Sequence, residues 1–236
     1  MRSCLIQLVM AVVVIFALLW FGLPFGASWL ATTALSSAGF SGTDTKVDVS
    51  AKLPPRILLG HADSIHLTST QVGVGDLHAS SIDLTLGNVE LFDRKIGTVA
   101  GTLTGVRVPA PNGDPISIEL ATVEGAGTAA TATLTTSSAQ LVQLAQTQFE
   151  AATGITSTVK LAAPDKVTVT ANGKSEPGRL VVQNGAIVLV PASSSLPVVT
   201  LVESGAGNPF HFTSIVIGAK TVTLVGTINL QSLLGL

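Results

Sequence analysis

Four histidines, His61, His66, His78 and His211, are the side chains best suited to proton transfer or metal binding. None has the spacing of a zinc-binding helix, and the single cysteine, Cys4, cannot complete a cysteine-based zinc site with them. His66 and His211 alternate with apolar neighbours, which places them outward on strands. Ser157-Thr-Val-Lys160 has the Ser-x-x-Lys spacing of penicillin-binding enzymes. That nucleophile needs a helix start and a Lys-Thr-Gly partner; here the pattern predicts a strand, and Lys220-Thr221 is followed by Val222. Glu203-Ser-Gly-Ala-Gly207 lacks the first glycine of a nucleophile elbow. Gly73 and Gly75 lack the helix and third glycine of a dinucleotide fingerprint. The carboxylates Asp63, Asp76, Asp83, Glu90 and Asp93 are scattered through strands and turns, whereas a glycosidase needs two that converge in a cleft. The expectation is a protein that is not an enzyme, with no catalytic residue, metal or cofactor.

Composition narrows the class. The chain has 236 residues, 47% hydrophobic and only 11% charged, against roughly 25% charged in an average soluble domain. Intrinsic disorder is excluded, because disordered chains are rich in charge and poor in apolar residues. The 12 basic residues form no cluster longer than Arg94-Lys95, so the stripe that would neutralise nucleic-acid phosphates is missing. With one cysteine, a disulfide framework is excluded as well.

From Cys4 to Leu23 no residue is charged. A helix of that length spans roughly 30 Å, enough for the hydrocarbon core of a bilayer. Arg2 precedes it and no Lys or Arg follows before Lys46, so the positive-inside rule puts the amino terminus in the cytoplasm and the rest outside. Trp20, Phe21 and Trp29 suit the outer interface. The apolar run is longer than the 7–15 residues typical of a signal peptide, which favours an uncleaved anchor in the cell membrane. Cleavage after the small residues Ala34, Ser36 and Ala38 is the alternative, and would give a secreted protein. Cys4 reads as a cysteine inside the membrane helix. The expected organisation is a transmembrane anchor or signal segment over residues 1–30, a tether over 31–44 and one extracytoplasmic β-rich domain over 45–236.

In that domain the dominant period is two, the mark of half-buried strands. Val47 and Val49, Ile65 and Leu67, and Ile82, Leu84 and Leu86 alternate with polar residues. After Gly87 the apolar phase moves to Val89 and Leu91, and after Gly105 to Val106 and Val108. A one-residue slip at a glycine predicts a β-bulge, hence long, curved strands. One helix is expected from about Ser137 to Thr153. Ser137 with Gln140 makes a capping box and Gly154 supplies the stop. Leu141, Leu144, Ala145, Gln148, Phe149 and Ala152 share its apolar face. Asn184-Gly185 predicts a type I′ hairpin. Strands, one helix, then strands indicate an α+β fold with a mostly antiparallel sheet. Leu180–Val182, Ile187–Val190 and Ile215–Ile217 are apolar on both strand faces, so the sheet needs more cover than one helix supplies.

The order of these segments resembles a known family. It runs from Val47-Asp-Val-Ser-Ala-Lys-Leu-Pro-Pro-Arg-Ile-Leu-Leu-Gly-His61 to Asp63–Val72, then to Leu77–Leu91 ending in Gly87-Asn-Val-Glu-Leu91. Leu103-Thr-Gly-Val-Arg-Val108, the Thr-rich strand and the helix at Ser137 follow. In pattern and order this is similar to the LmeA family of actinobacterial-type envelope proteins, over roughly Val47 to Leu230. The resemblance implies a tubular lipid-binding (TULIP-like) fold, a long, strongly curved, mostly antiparallel sheet wrapped around one long amphipathic helix. It also implies phospholipid or other acyl-lipid binding outside the cytoplasmic membrane, in envelope lipid or lipoglycan maintenance or transport. It carries no catalytic residues. Burial of acyl methylenes, at about 0.8 kcal/mol each, needs apolar lining rather than a motif. The candidate lining is Ile65, Leu67, Ile82, Leu84, Leu86, Leu144, Phe149, Phe210 and Phe212, with Lys52 and Arg56 beside Pro54-Pro55 as candidate head-group contacts. A non-catalytic adaptor that binds an envelope protein or wall polymer is the alternative. The absence of Trp and Tyr from the sequence beyond residue 30 weighs against sugar stacking.

Overall fold

The computed structural model describes residues 40–51, 60–74, 77–90, 93, 95–108, 116–193, 196–203 and 210–229. The expected anchor, Lys52, Arg56 and most of the tether lie outside the described residues. Among the described residues the fold is antiparallel β-sheet with one helix, as the patterning predicts. The strands are β1 (Phe40–Ser50), β2 (His61–Val74), β3 (Leu77–Glu90), β4 (Lys95–Val108), β5 (Ile116–Ala126) and β6 (Ala129–Ser137). Helix α1 (Ser138–Thr153) follows. After it come β7 (Ser157–Ala162), β8 (Lys166–Ala171), β9 (Lys174–Gln183), β10 (Ala186–Pro191), β11 (Val199–Val202), β12 (Phe210–Ile217) and β13 (Thr221–Ile228). β1 begins inside the stretch read as tether, with Ser41 opposite Gly73 and Thr43 opposite Thr70.

Two compact units divide the chain, one ending at Ala132 and resuming at Ile228, the other running from Thr133 to Thr227. The sequence reads as one unit because both divisions fall inside strands, β6 and β13, where no linker composition marks them.

In the first unit β1, β2, β3, β4 and β5 are neighbours in that order. One face carries apolar rows that run from strand to strand. Ile65, Leu86, Val99 and Gly125 stand opposite one another, then Leu67, Leu84, Gly101 and Val123, then Ser69, Ile82, Leu103 and Ala121. At either end a further row follows, Ala62, Val89 and Ile96 on one side and Val72 with Ala79 on the other. Between the central rows and these outer rows the buried positions step by three residues instead of two. The residues that absorb the step include Gln71 (φ 49°), Asn88 (φ 51°) and Gly105 (φ 57°), all in left-handed backbone.

These steps correct the expected bulges. A bulge sets two residues of one strand against one of its neighbour and shifts the register. Here Thr70 opposes Ser81 and Val72 opposes Ala79, with Gln71 between, so no residue is gained. Gly87 opposes Thr98 and Val89 opposes Ile96, so β3 and β4 also stay in register past Asn88. Neighbouring strands take the same step at the same level, and the ladder continues. Register shifts fall instead in β1, between Ser41 and Thr43 and between Thr43 and Lys46, and in the second unit where β10 meets β11, between Ile187 and Val188.

The second unit contains α1 and the five-stranded sheet β11-β10-β9-β8-β7, with the end of β6 beside β13 and β13 beside β12. Ser137 caps α1, its Oγ accepting a 3.3 Å hydrogen bond from the Gln140 backbone N–H. Gly154, at φ 71°, ends it and donates its N–H to the Glu150 carbonyl at 2.7 Å. Leu141, Ala145, Gln148 and Phe149 form the buried face. Leu144 is half-buried, and Ala152, expected on the same face, is exposed in the last turn. α1 lies against β7 and β11, the two edges of the five-stranded sheet.

Asn184 (φ 52°) and Gly185 (φ 77°) make the predicted type I′ turn between β9 and β10, where Gln183 faces Ala186. Asn172 (φ 53°) and Gly173 (φ 73°) make a second between β8 and β9. Ile187, Val188 and Leu189 are all buried, so β10 is covered on both faces. Backbone bonds from Phe212 N to Gly185 O (3.0 Å) and from Ile217 N to Pro164 O (2.6 Å) fix β12 to the turns of this sheet. Ile215–Ile217 is not apolar-buried throughout, because Val216 points outward and is 51% exposed.

Candidate functional site

The candidate site is the apolar inner face of the first unit. Its residues are aliphatic except for one polar side chain, Ser69, and two glycines, Gly101 and Gly125. Ser69 is buried, and its hydroxyl is satisfied from β1: it lies 2.8 Å from Thr45 Oγ1 and donates to the Thr43 carbonyl at 3.3 Å. The face thus presents no unsatisfied polar group at Ser69, as burial requires. Along β2 it extends from Ala62 to Val72, about 33 Å of extended strand. That exceeds the ~15 Å half-thickness of a bilayer's hydrocarbon core.

The structure brings together Ile65, Leu67, Ile82, Leu84 and Leu86, which fill three adjacent rows and are each at most 2% exposed. Leu144 and Phe149 on α1 and Phe212 on β12 belong to the second unit, where Phe149 and Phe212 are buried and Leu144 is half-buried. Phe210 opens β12, and its side chain is outside the described residues, as are Lys52 and Arg56. The inner face also includes Val72, Val99, Leu103, Val106 and Val123, which the alternation along single strands does not single out as lining. Their signal is present in the sequence: Val99, Leu103 and Val123 continue the central rows across the strands, and Val72 and Val106 follow once the three-residue step is taken.

The chemistry-bearing residues stand apart from this face. His66 Nε2 and Asp83 Oδ1 lie 2.9 Å apart on the outer surface, both side chains well exposed. His78 and His211 are exposed. Ser157 and Lys160 fall on β7, on opposite faces, Ser157 buried and Lys160 exposed. The Ser-x-x-Lys helix geometry is therefore not formed. Among the described residues no group of three or more His, Cys, Asp or Glu side chains is placed to hold a metal ion. Lys95 reaches Glu90 at 3.7 Å and Asp93 at 4.0 Å across the β3–β4 turn, and Arg179 Nε reaches Asp165 Oδ2 at 3.0 Å. The Lys95 pairs are exposed and contribute little to stability. No helix among the described residues is long and apolar enough to cross a membrane.

No family model, curated protein or solved structure matches the chain.

Proposed function

We propose that this protein is a membrane-anchored, extracytoplasmic phospholipid-binding protein without a catalytic step, acting in maintenance or transport of envelope lipid. The observation that carries the reading is the inner face itself: largely aliphatic rows continuous over four strands, on a face longer along β2 than half the hydrocarbon core of a bilayer, with one polar residue whose hydroxyl is already bonded. The resemblance to the LmeA family is carried by no family match, so the proposal stands on the face and on the apolar run from Cys4 to Leu23. The TULIP-like architecture belongs to the same proposal. It is supported within the second unit, where one amphipathic helix meets both edges of a five-stranded sheet.

The test uses the full chain in vesicles that contain a trace of phospholipid with a photoactivatable diazirine on its acyl chain. After irradiation, cross-links should map to inner-face residues of β2, β3 and β4. Labelling confined to residues 4–23 would refute lipid binding by the β-rich part.

One observation favours a second reading. The five central candidates are at most 2% exposed, so the rows are closed against protein. If they stay closed in a membrane, the domain is an envelope adaptor with an ordinary core, and a protein or polymer partner would be recovered from cross-linked envelopes instead.

A further inference from the structure

The closed inner face raises the question of where an acyl chain would enter. Among the described residues β1 is the outermost strand of its sheet, with β2 as its one strand neighbour. Its second half is regular: Lys46 to Ser50 oppose Thr68 to Ser64 without a shift, and Val47 is buried opposite Leu67. Its first half differs in every respect. Residues 41–45 read Ser-Gly-Thr-Asp-Thr and contribute no aliphatic or aromatic side chain. Two register shifts fall within the six residues from Ser41 to Lys46, and Asp44 adopts left-handed backbone at φ 53°. Residues 41–44 are exposed.

What holds this segment, beyond a few ladder bonds, is a set of hydroxyls. Ser41 Oγ donates to the Gly73 carbonyl at 3.3 Å, Thr70 Oγ1 to the Thr43 carbonyl at 3.1 Å, and Thr43 Oγ1 to Gln71 Oε1 at 3.4 Å. Thr45 Oγ1 and Ser69 Oγ share the 2.8 Å bond already described. Neutral hydrogen bonds of this kind add little net stability, because water replaces them on opening. Segments with few apolar contacts and exposed hydrogen bonds open far below the global unfolding free energy. Ser69, the one polar residue of the inner face, is bonded to this segment on its strand-edge side.

We infer that residues 41–45 are a detachable strap, whose release uncovers the inner face at Ser69 and Val72 and admits an acyl chain there. The inference deepens the lipid-binding reading and rests on it for the identity of what enters.

Two measurements on the full chain in vesicles separate the strap from the ligand. The first is hydrogen exchange on the wild-type protein, so it depends on no variant's folding. Amides of residues 41–45 should exchange about 100-fold faster than those of residues 82–86. Equal protection overturns the strap. The second locks it with Thr43→Cys and Thr70→Cys in a Cys4→Ser background, since these two residues are directly opposed across the ladder. With the diazirine phospholipid as probe, the oxidised form should label the inner face about tenfold less than the reduced form, and reduction should restore labelling. Equal labelling of oxidised and reduced forms overturns the strap as the entrance. Fast exchange of residues 41–45 with an unlabelled inner face in both forms overturns the lipid reading and leaves the detachment standing.

Discussion

Leu84 leans over Gly101, the residue directly opposite it on the neighbouring strand. A β-carbon on Gly101 would stand 2.8 Å from Leu84 Cδ1 and 2.9 Å from Leu84 Cα, and would also press on the Asp83 carbonyl oxygen. The pair sits in the central row of the inner face, so a large side chain on β3 is accommodated by the lack of one on β4. The rows are packed by this large-against-small complementarity rather than by uniform bulk.

Gly101→Ala should therefore destabilise the protein. Leu84 Cδ1 can move by a rotamer change, but the Asp83 carbonyl and Leu84 Cα belong to the ladder and cannot move cheaply. Overpacking of this type costs about 1–3 kcal/mol. For a chain of this size, that is a fall in melting temperature of roughly 2–12 °C by circular dichroism. An unchanged melting temperature would show that the sheet is looser at this row than its burial implies.

Leu84→Ala should cost about 2–5 kcal/mol, because Gly101 opposite has no side chain with which to fill the space. The double variant gives a sharper expectation. Removing the Leu84 methyls relieves one of the three contacts that the β-carbon introduced by Gly101→Ala would make, and leaves both backbone contacts. A double-mutant cycle should show partial, not full, rescue of Gly101→Ala. Full rescue would place the whole strain on the Leu84 side chain.

Much of the local structure is legible in the sequence because single residues have single physical roles. Ser137, Gln140 and Gly154 mark both ends of α1, since unsatisfied helix-end groups need those side chains and that backbone freedom. Asn184-Gly185 marks its turn for the same reason. Asn172-Gly173 carries the identical signal, less apparent because the polar run Lys174-Ser-Glu-Pro177 follows it in place of an apolar alternation. The phase slips near Gly87 and Gly105 are real, but one strand alone cannot distinguish a bulge from a step shared by its neighbours. That distinction lies in the register between strands. The candidate site is the least legible part. Ile65, Leu67 and Leu86 have the residue types of an ordinary core, and a lipid-binding face uses the same types.

Gln71 offers a test of the shared step. It holds φ 49° without being glycine or asparagine, a conformation that costs an ordinary residue about 1–2 kcal/mol. Gln71→Gly should therefore stabilise the protein or leave it unchanged, although glycine inside a strand usually destabilises. Gln71→Val, favourable in a regular strand, should destabilise by about 1–2 kcal/mol, since a β-branched side chain resists left-handed backbone. Urea titration of both variants decides the matter. The reverse order would mean that β2 runs through this position as regular strand.

Ser69→Ala separates the stability of the strap from that of the core. The substitution removes the 2.8 Å bond to Thr45 Oγ1 and the bond to the Thr43 carbonyl. The Thr43 carbonyl keeps Thr70 Oγ1 as a donor at 3.1 Å, and Thr45, half-exposed, can turn its hydroxyl to water. No buried group loses its last partner, so global stability should change by less than about 1 kcal/mol. Locally the loss of about 1 kcal/mol should speed exchange of residues 41–45 about fivefold, with residues 82–86 unaffected. Faster exchange in both segments would mean that the strap opens only when the whole sheet does.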